Sequence, residues 1–301
     1  MTDSSDSGCS LGPIRCITVT APDLDQVEAC YTRFFDYKVV VRSALDEELA
    51  ELWGCPALAG RATLILAPAA GTECVFRFIE SPRDPNYVPF ATHGWNAAEI
   101  MVQNVDAMAE RLIGSDFDVI GAPANLSFSD DIRAMQVLGP GGELLYLTEF
   151  KKQLPGLEVP EARCAVDRVF IVILGGPSMT ALQAFYATKF NVPGAEPVES
   201  RVKGISAAFG NSPEHQYPIA ALPLNGRTLI EVDEMPAQAL PRPAPDGKLP
   251  AGISIVSFSG GLTDRSTLTA IDAPLAPYGT NSAVAVLHGP AGELIEVIHR
   301  I

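Results

Sequence analysis

A turn that occurs twice, 150 residues apart, limits the folds open to this chain. Leu138-Gly139-Pro140-Gly141-Gly142-Glu143-Leu144-Leu145-Tyr146-Leu147 is answered by His288-Gly289-Pro290-Ala291-Gly292-Glu293-Leu294-Ile295-Glu296-Val297. Gly supplies positive φ and Pro holds φ near the turn value, so each copy reads as a strand end, a tight turn and a returning strand. A period this long marks a duplicated domain, not a solenoid of short repeats. The copies differ where Tyr146 in the first stands in the place of Glu296 in the second.

The remaining patterning obeys the same duplication. Residues 14–20 alternate as a half-buried strand, Asp23 is placed to cap a helix, and Leu24, Val27, Tyr31 and Phe34 share one helical face. Strands are expected at 37–42, 63–67 and 74–79. After a loop at 81–94 holding Pro82, Pro85 and Pro89, the order recurs: a strand at 96–102, a helix at 105–113, and strands near 117–120, 133–138 and 144–149. The second half opens with a strand at 166–174 and a helix capped by Ser178, followed by strands near 204–209, 219–222 and 228–233. A strand at 252–259, a helix around 266–271 and strands at 283–287 and 294–299 complete it. The expected fold is α+β, with four βαβββ modules in tandem paired into two open β-barrel-like cups, one in each half. The expected boundaries are a mobile tail at 1–12, a first domain at 13–150, a linker at 151–165 and a second domain at 166–301.

With 301 residues, each half is long enough to bury its own core. Lys and Arg number 21 against 36 Asp and Glu, a net charge of -15, which repels nucleic acid and anionic membranes in the absence of a basic patch. No apolar run is long enough to span a bilayer. The six cysteines contain no CxxC pair and the first residues are polar and acidic, unlike a signal peptide, so free thiols in a cytoplasm are expected. Four modules let one chain close both cups, so either a monomer or a homodimer is compatible.

Three features resemble the vicinal oxygen chelate superfamily, which includes glyoxalase I, extradiol dioxygenases and the bleomycin-resistance proteins. They are Ala21-Pro22-Asp23-Leu24 with the following helix, Gly94-Trp95-Asn96-Ala97-Ala98-Glu99 leading to Asn104-Val105-Asp106-Ala107, and the closing turn. The resemblance implies a divalent metal in each cup, held by a His on a module's first strand, a His, Gln or Glu on the next module's first strand, and a Glu after the closing turn. Carried over by position, the first half has Cys16, Ala97 and Tyr146 in those slots; the second has Phe170 or Ile171, Ser254 and Glu296. Glu231 matches a further family glutamate. The loss of both His ligands argues against an ordinary two-His Fe(II) extradiol dioxygenase.

On this reading the first cup would be lined by Cys16, Arg77, Glu99, Arg133 and Tyr146, with the arginines suited to a carboxylate or phenolate. The second would carry Glu231 and Glu296 as an acid–base pair or as ligands to one divalent metal, or to none, with Phe170 and Ser254 beside them and His215 on a nearby loop. Glu231, Glu296 and Tyr146 are the candidate catalytic residues. The implied activity is lyase or isomerase chemistry on a small oxygenated or aromatic molecule. A metal-free ligand-binding protein and a dioxygenase-like enzyme with one active half are the alternatives.

Overall fold

The computed structural model describes residues 9–126, 129–152, 158–245, 247–262, 268–271 and 276–300. The first module comprises β1 (Leu11–Ala21), α1 (Leu24–Phe34), β2 (Lys38–Ala44), α2 (Glu47–Leu52), a 3-10 turn at Pro56–Leu58, β3 (Ala62–Ala67) and β4 (Val75–Glu80). The second comprises β5 (Thr92–Val102), α3 (Val105–Arg111), β6 (Asp118–Leu126), β7 (Ser129–Leu138) and β8 (Leu144–Phe150). The third comprises β9 (Val166–Gly176), α4 (Met179–Phe190), β10 (Val198–Arg201), α5 (Lys203–Phe209), β11 (Gln216–Leu224) and β12 (Thr228–Glu234). A short β13 (Leu240–Pro241) leads to the fourth, with β14 (Ile253–Gly260), β15 (Thr269–Ile271), β16 (Ser282–His288) and β17 (Leu294–Arg300).

Local chemistry explains most of these elements. Asp23 accepts from the amides of Asp25 and Gln26 at 2.9 and 3.0 Å, and Ser178 accepts from Ala181 at 3.3 Å, so both caps sit where the sequence places them. Both closing turns share one geometry: Gly142 and Gly292 lie at φ 84° and 77°, and the amides of Gly139 and Gly289 donate to the carbonyls of Glu143 and Glu293. Three expectations need correction. Residues 204–209 form α5 rather than a strand, because Gly210 adopts the left-handed conformation and ends a helical turn. Residues 269–271 form β15 against β16 rather than the end of a helix, while 263–267 lie outside the described residues. Residues 10–12 are not mobile: the Ser10 amide donates to the Phe190 carbonyl and Leu11 opens β1, while 1–8 lie outside the described residues.

The modules pair in an order that the halves did not suggest. One sheet runs β15-β16-β17-β14-β1-β4-β3-β2, joining the first module to the fourth. The other runs β10-β11-β12-β9-β5-β8-β7-β6, joining the second to the third. These are termed the outer and inner sheets. The reason lies in the first strands, each of which would be an unpaired edge within its own module. β9 covers the free edge of β5, antiparallel to it, and β14 covers that of β1. Each cup is therefore built from both halves of the sequence.

The faces of the two sheets that turn away from the cups pack together through the main core, which includes Phe35, Phe76, Phe78, Trp95, Phe117, Leu174 and Phe258. Trp95 of the inner sheet donates to the Leu294 carbonyl of the outer sheet at 2.8 Å, and the Tyr37 hydroxyl donates to the Asp167 carbonyl at 2.7 Å. The glutamate of each closing turn is also buried in this region. Tyr31 of α1 donates to Glu143 at 2.7 Å and Tyr186 of α4 donates to Glu293 at 3.1 Å, an arrangement repeated in the two halves. Burial pushes both carboxyls up to about 7.

Candidate functional site

Strand register sets four equivalent positions in each cup. In the outer sheet Cys16 lies opposite Ser257, Ser257 opposite Glu296, and Thr18 opposite Arg77. In the inner sheet Ile171 lies opposite Glu99, Glu99 opposite Tyr146, and Ile173 opposite Glu231. The outer set is thus Cys16, Arg77, Ser257 and Glu296. The inner set is Ile171, Glu231, Glu99 and Tyr146.

The outer set is saturated by its own contacts. The Arg77 guanidinium faces the Glu296 carboxylate at 3.3 Å, donates to Thr18 Oγ1 at 3.0 Å and donates to the Tyr278 hydroxyl. Glu296 also accepts from Trp53 Nε1 at 2.8 Å, Ser257 Oγ at 2.6 Å and the Tyr278 hydroxyl at 2.9 Å. The Trp53 ring, delivered by the end of α2, lies 4.4 Å from the Arg77 guanidinium carbon as a cation–π partner. Every lone pair that Glu296 would offer a metal or a substrate is engaged. Burial raises the Cys16 thiol to about 11, so beside this ion pair it stays a neutral core thiol rather than a nucleophile.

The inner set is open and unbalanced. Glu99, Glu231 and Asp233 bring three carboxyls to one face with no cation among the four equivalent positions. Burial, and then the Glu231 charge, push Glu99 up to about 8. Burial raises Glu231, and burial followed by the Glu231 charge raises Asp233 well above the usual carboxylate range. Neither Asp233 oxygen has a hydrogen-bond partner among the described residues, nor does the buried Thr148 hydroxyl. The Tyr146 phenol is raised well above its ordinary value by burial and then by the three carboxyls, with Gln136 opposite it on β7. Glu231, Tyr146 and Gln136 are only half-buried, so solvent reaches this side of the cup. Ile171 and Ile173 form an apolar wall with Ile205 and Phe209 of α5.

The structure separates several residues that the sequence grouped. Glu231 and Glu296 lie in different sheets and cannot form one acid–base pair or share one metal. Ser254 does not face Glu296; its hydroxyl donates to the Pro250 carbonyl at 2.6 Å, and Ser257 takes the cup position. The slot assigned to Ala97 falls to Glu99. Arg133 points away from the inner cup and clamps Asp106 of α3 with two bonds of 2.9 and 2.8 Å, because strand alternation gives the cup face to Ala134 and Gln136. Arg77 and Glu99, expected in one cup, occupy different ones. Phe170 and Ile171 both reach the inner cup because a bulge places Phe170 as an extra residue between Val169 and Ile171. His215 is exposed and packs edge-on against Tyr217, at 4.8 Å between ring centres.

Trp53, Ser257, Tyr278 and Asp233 were missed as cup residues. Only Asp233 carried a sequence signal, since it lies two residues beyond Glu231 on the same strand and so on the same face. Among the described residues, no group of three His, Cys, Asp or Glu side chains is arranged to hold a metal ion.

This architecture is found in known proteins. The structure of glyoxalase I from Zea mays superposes with a TM-score of 0.61 at 14% sequence identity, covering 95% of this chain and 92% of that one. A glyoxalase I variant from the same plant gives 0.62 at 14% identity, with 97% and 95% covered. A candidate dioxygenase from Bacillus subtilis gives 0.60 at 10% identity, with 97% and 86% covered. No known protein-family profile matches the sequence, and no curated protein matches it. The chain thus shares the fold of these glyoxalase and dioxygenase structures over nearly its whole length. Among the described residues no helix is long and apolar enough to cross a membrane.

Proposed function

We propose that the inner cup is the working site and that it performs metal-independent acid–base chemistry of the lyase or isomerase class on a small oxygenated or aromatic molecule. The observation that carries this reading is the convergence of Glu99, Glu231 and Asp233 on the half-open face beside Tyr146. Neighbouring carboxyls in a low-dielectric site cannot all ionise, so one stays protonated while another holds charge. Glu231, the more exposed, acts as base and takes a proton from carbon next to a substrate carbonyl. Glu99, protonated at neutral pH, returns a proton on the other side. Tyr146, kept neutral by its surroundings, donates a hydrogen bond to the carbonyl oxygen as negative charge develops there.

The donor sets do not suit the divalent metal implied by the fold. In the outer cup a guanidinium occupies the space beside Glu296, and the inner cup offers carboxyls without a nitrogen ligand or a three-residue chelating group. No step is therefore routed through a metal.

The excess of inner-cup carboxyls also favours a second reading, in which this cup sequesters a cationic ligand without turnover. The net charge of -15 supports it. The six thiols are free, which supports placement in a reducing cytoplasm, and both sheets close within one chain, so a monomer suffices.

The test is solvent deuterium exchange into a panel of small α-hydroxy ketones and aldehydes. The wild-type chain should catalyse exchange, and Glu231→Gln should lower the rate by about 10²- to 10⁴-fold. Unchanged exchange in both Glu231→Gln and Glu99→Gln would overturn the enzymatic reading. Saturable binding of organic cations without exchange would favour sequestration.

A further inference from the structure

The outer cup has a mouth that its saturated floor does not fill. A cavity of about 420 Å³ opens there, lined by Arg15, Ser259, Tyr278, Ile298, His299 and Arg300 among others. Ser259 lies two residues beyond Ser257, and Ile298 and Arg300 lie two and four beyond Glu296, so strand alternation directs all three to the cup side. Tyr278, whose hydroxyl is held by Arg77 and Glu296, forms the base of this cavity.

Comparison of the two cups shows what is unusual about this mouth. A bulge makes Arg15 the extra residue between Ile14 and Cys16 on β1, and the corresponding bulge makes Phe170 the extra residue before Ile171 on β9. The closing turns align Arg300 with Phe150 across the 150-residue repeat. In the inner cup these two positions are filled by Phe150 and Phe170, packed edge to face at 5.8 Å. The same two positions in the outer cup hold Arg15 and Arg300. An apolar plug has been replaced by two like charges around an open cavity.

Two guanidiniums close enough to repel are costly without a counter-charge. Burial pulls the half-buried Arg15 down from its ordinary value and the Arg300 charge acts in the same direction, opposed in part by Glu73, whose carboxylate is already paired with Arg163. Among the described residues neither arginine has a hydrogen-bond or ion-pair partner, in a chain whose acidic residues outnumber its basic ones 36 to 21. His299 is held by its own bond, with Nδ1 donating to the Gly260 carbonyl at 3.2 Å.

We propose that the mouth of the outer cup binds a small organic oxyanion, its charged head between Arg15 and Arg300 and its apolar body against Tyr278 and Ile298. Guanidinium forks bind carboxylate and phosphate with paired charged hydrogen bonds, and the cavity is of the size that small-molecule sites occupy. The site involves no inner-cup carboxyl and stands independently of the proposed chemistry there.

Calorimetric titration of the full chain with benzoate and with phenyl phosphate tests this, with benzamide as the uncharged control. At least one anion should bind saturably and benzamide should not, the tighter of the two identifying the head group. Arg300→Gln, at an exposed strand end where folding is least at risk, should weaken binding about tenfold, as should Arg15→Gln. Glu231→Gln should leave it unchanged, which separates this result from any failure of the inner-cup reading. The proposal is overturned if neither anion binds, if benzamide binds as tightly, or if Arg300→Gln retains full affinity.

Discussion

Arg77 and Glu296 form an ion pair whose side chains are 2% and 0% exposed, on the floor of the outer cup. Arg77 comes from the first module and Glu296 from the last, so the pair also ties the two ends of the chain together. Removing one partner of a buried pair leaves an unpaired charge at a cost of about 3–5 kcal/mol. Arg77→Ala should therefore lower stability by roughly that amount in urea unfolding. The double replacement Arg77→Met with Glu296→Leu should recover most of the loss. A single variant as stable as the wild-type chain would show that the pair contributes nothing.

The inner cup predicts a pH profile. With Glu99 raised to about 8, its proton is present at neutral pH and is lost on the alkaline side. Exchange activity should rise as Glu231 ionises and fall again near pH 8 as Glu99 does. In Glu99→Gln the alkaline limb should disappear, since an amide has no proton to lose in that range. An unchanged alkaline limb in that variant would assign it to another group.

Stability should also decline as pH rises. The carboxyls of Glu143 and Glu293 sit at about 7 in the folded chain, against about 4.3 for an unfolded glutamate. Between those values the folded chain holds protons that the unfolded chain has released. The stabilisation is thus complete below the lower value, is lost through the window and is absent above it. The urea midpoint should be higher at about pH 5 than at about pH 8, and Glu143→Gln should reduce the difference. A higher midpoint at the alkaline pH would contradict the assignment.

Cys16 should be inert. Its thiol is wholly buried and raised to about 11, so alkylation by iodoacetamide at about pH 8 should spare it until the chain unfolds. Peptide mass mapping reads this directly, and rapid native labelling of Cys16 would show that the outer cup opens.

What the sequence revealed was local. The caps at Asp23 and Ser178, the two closing turns and most strands depend on residues a few positions apart, and their patterns survive into the fold. Cup composition did not, because it depends on β1 meeting β14 rather than a strand of its own half. The bulges at Arg15 and Phe170 then shift which residues face inward, and nothing in one strand's own alternation announces an extra residue. Glu231 was recognised from its strand, yet its true neighbours, Glu99 and Tyr146, belong to the other half of the sequence. The apolar residues of 204–209 fit a strand as well as a helix, and the left-handed Gly210 cap decides for the helix.

The crossed pairing bears on how such a chain can be divided. A cut between β8 and β9 would yield two fragments, each carrying one half of both sheets, with the exposed edges of β1 and β5 on one and of β9 and β14 on the other. Neither fragment would be a domain in the ordinary sense. A nicked protein should stay associated through those strand pairs, and a half-length chain expressed alone would have to recruit another copy of itself to cover its edges. The covalent link between the halves thus holds together strand pairs that could otherwise form only between separate chains, and it gives each cup its own unshared set of side chains.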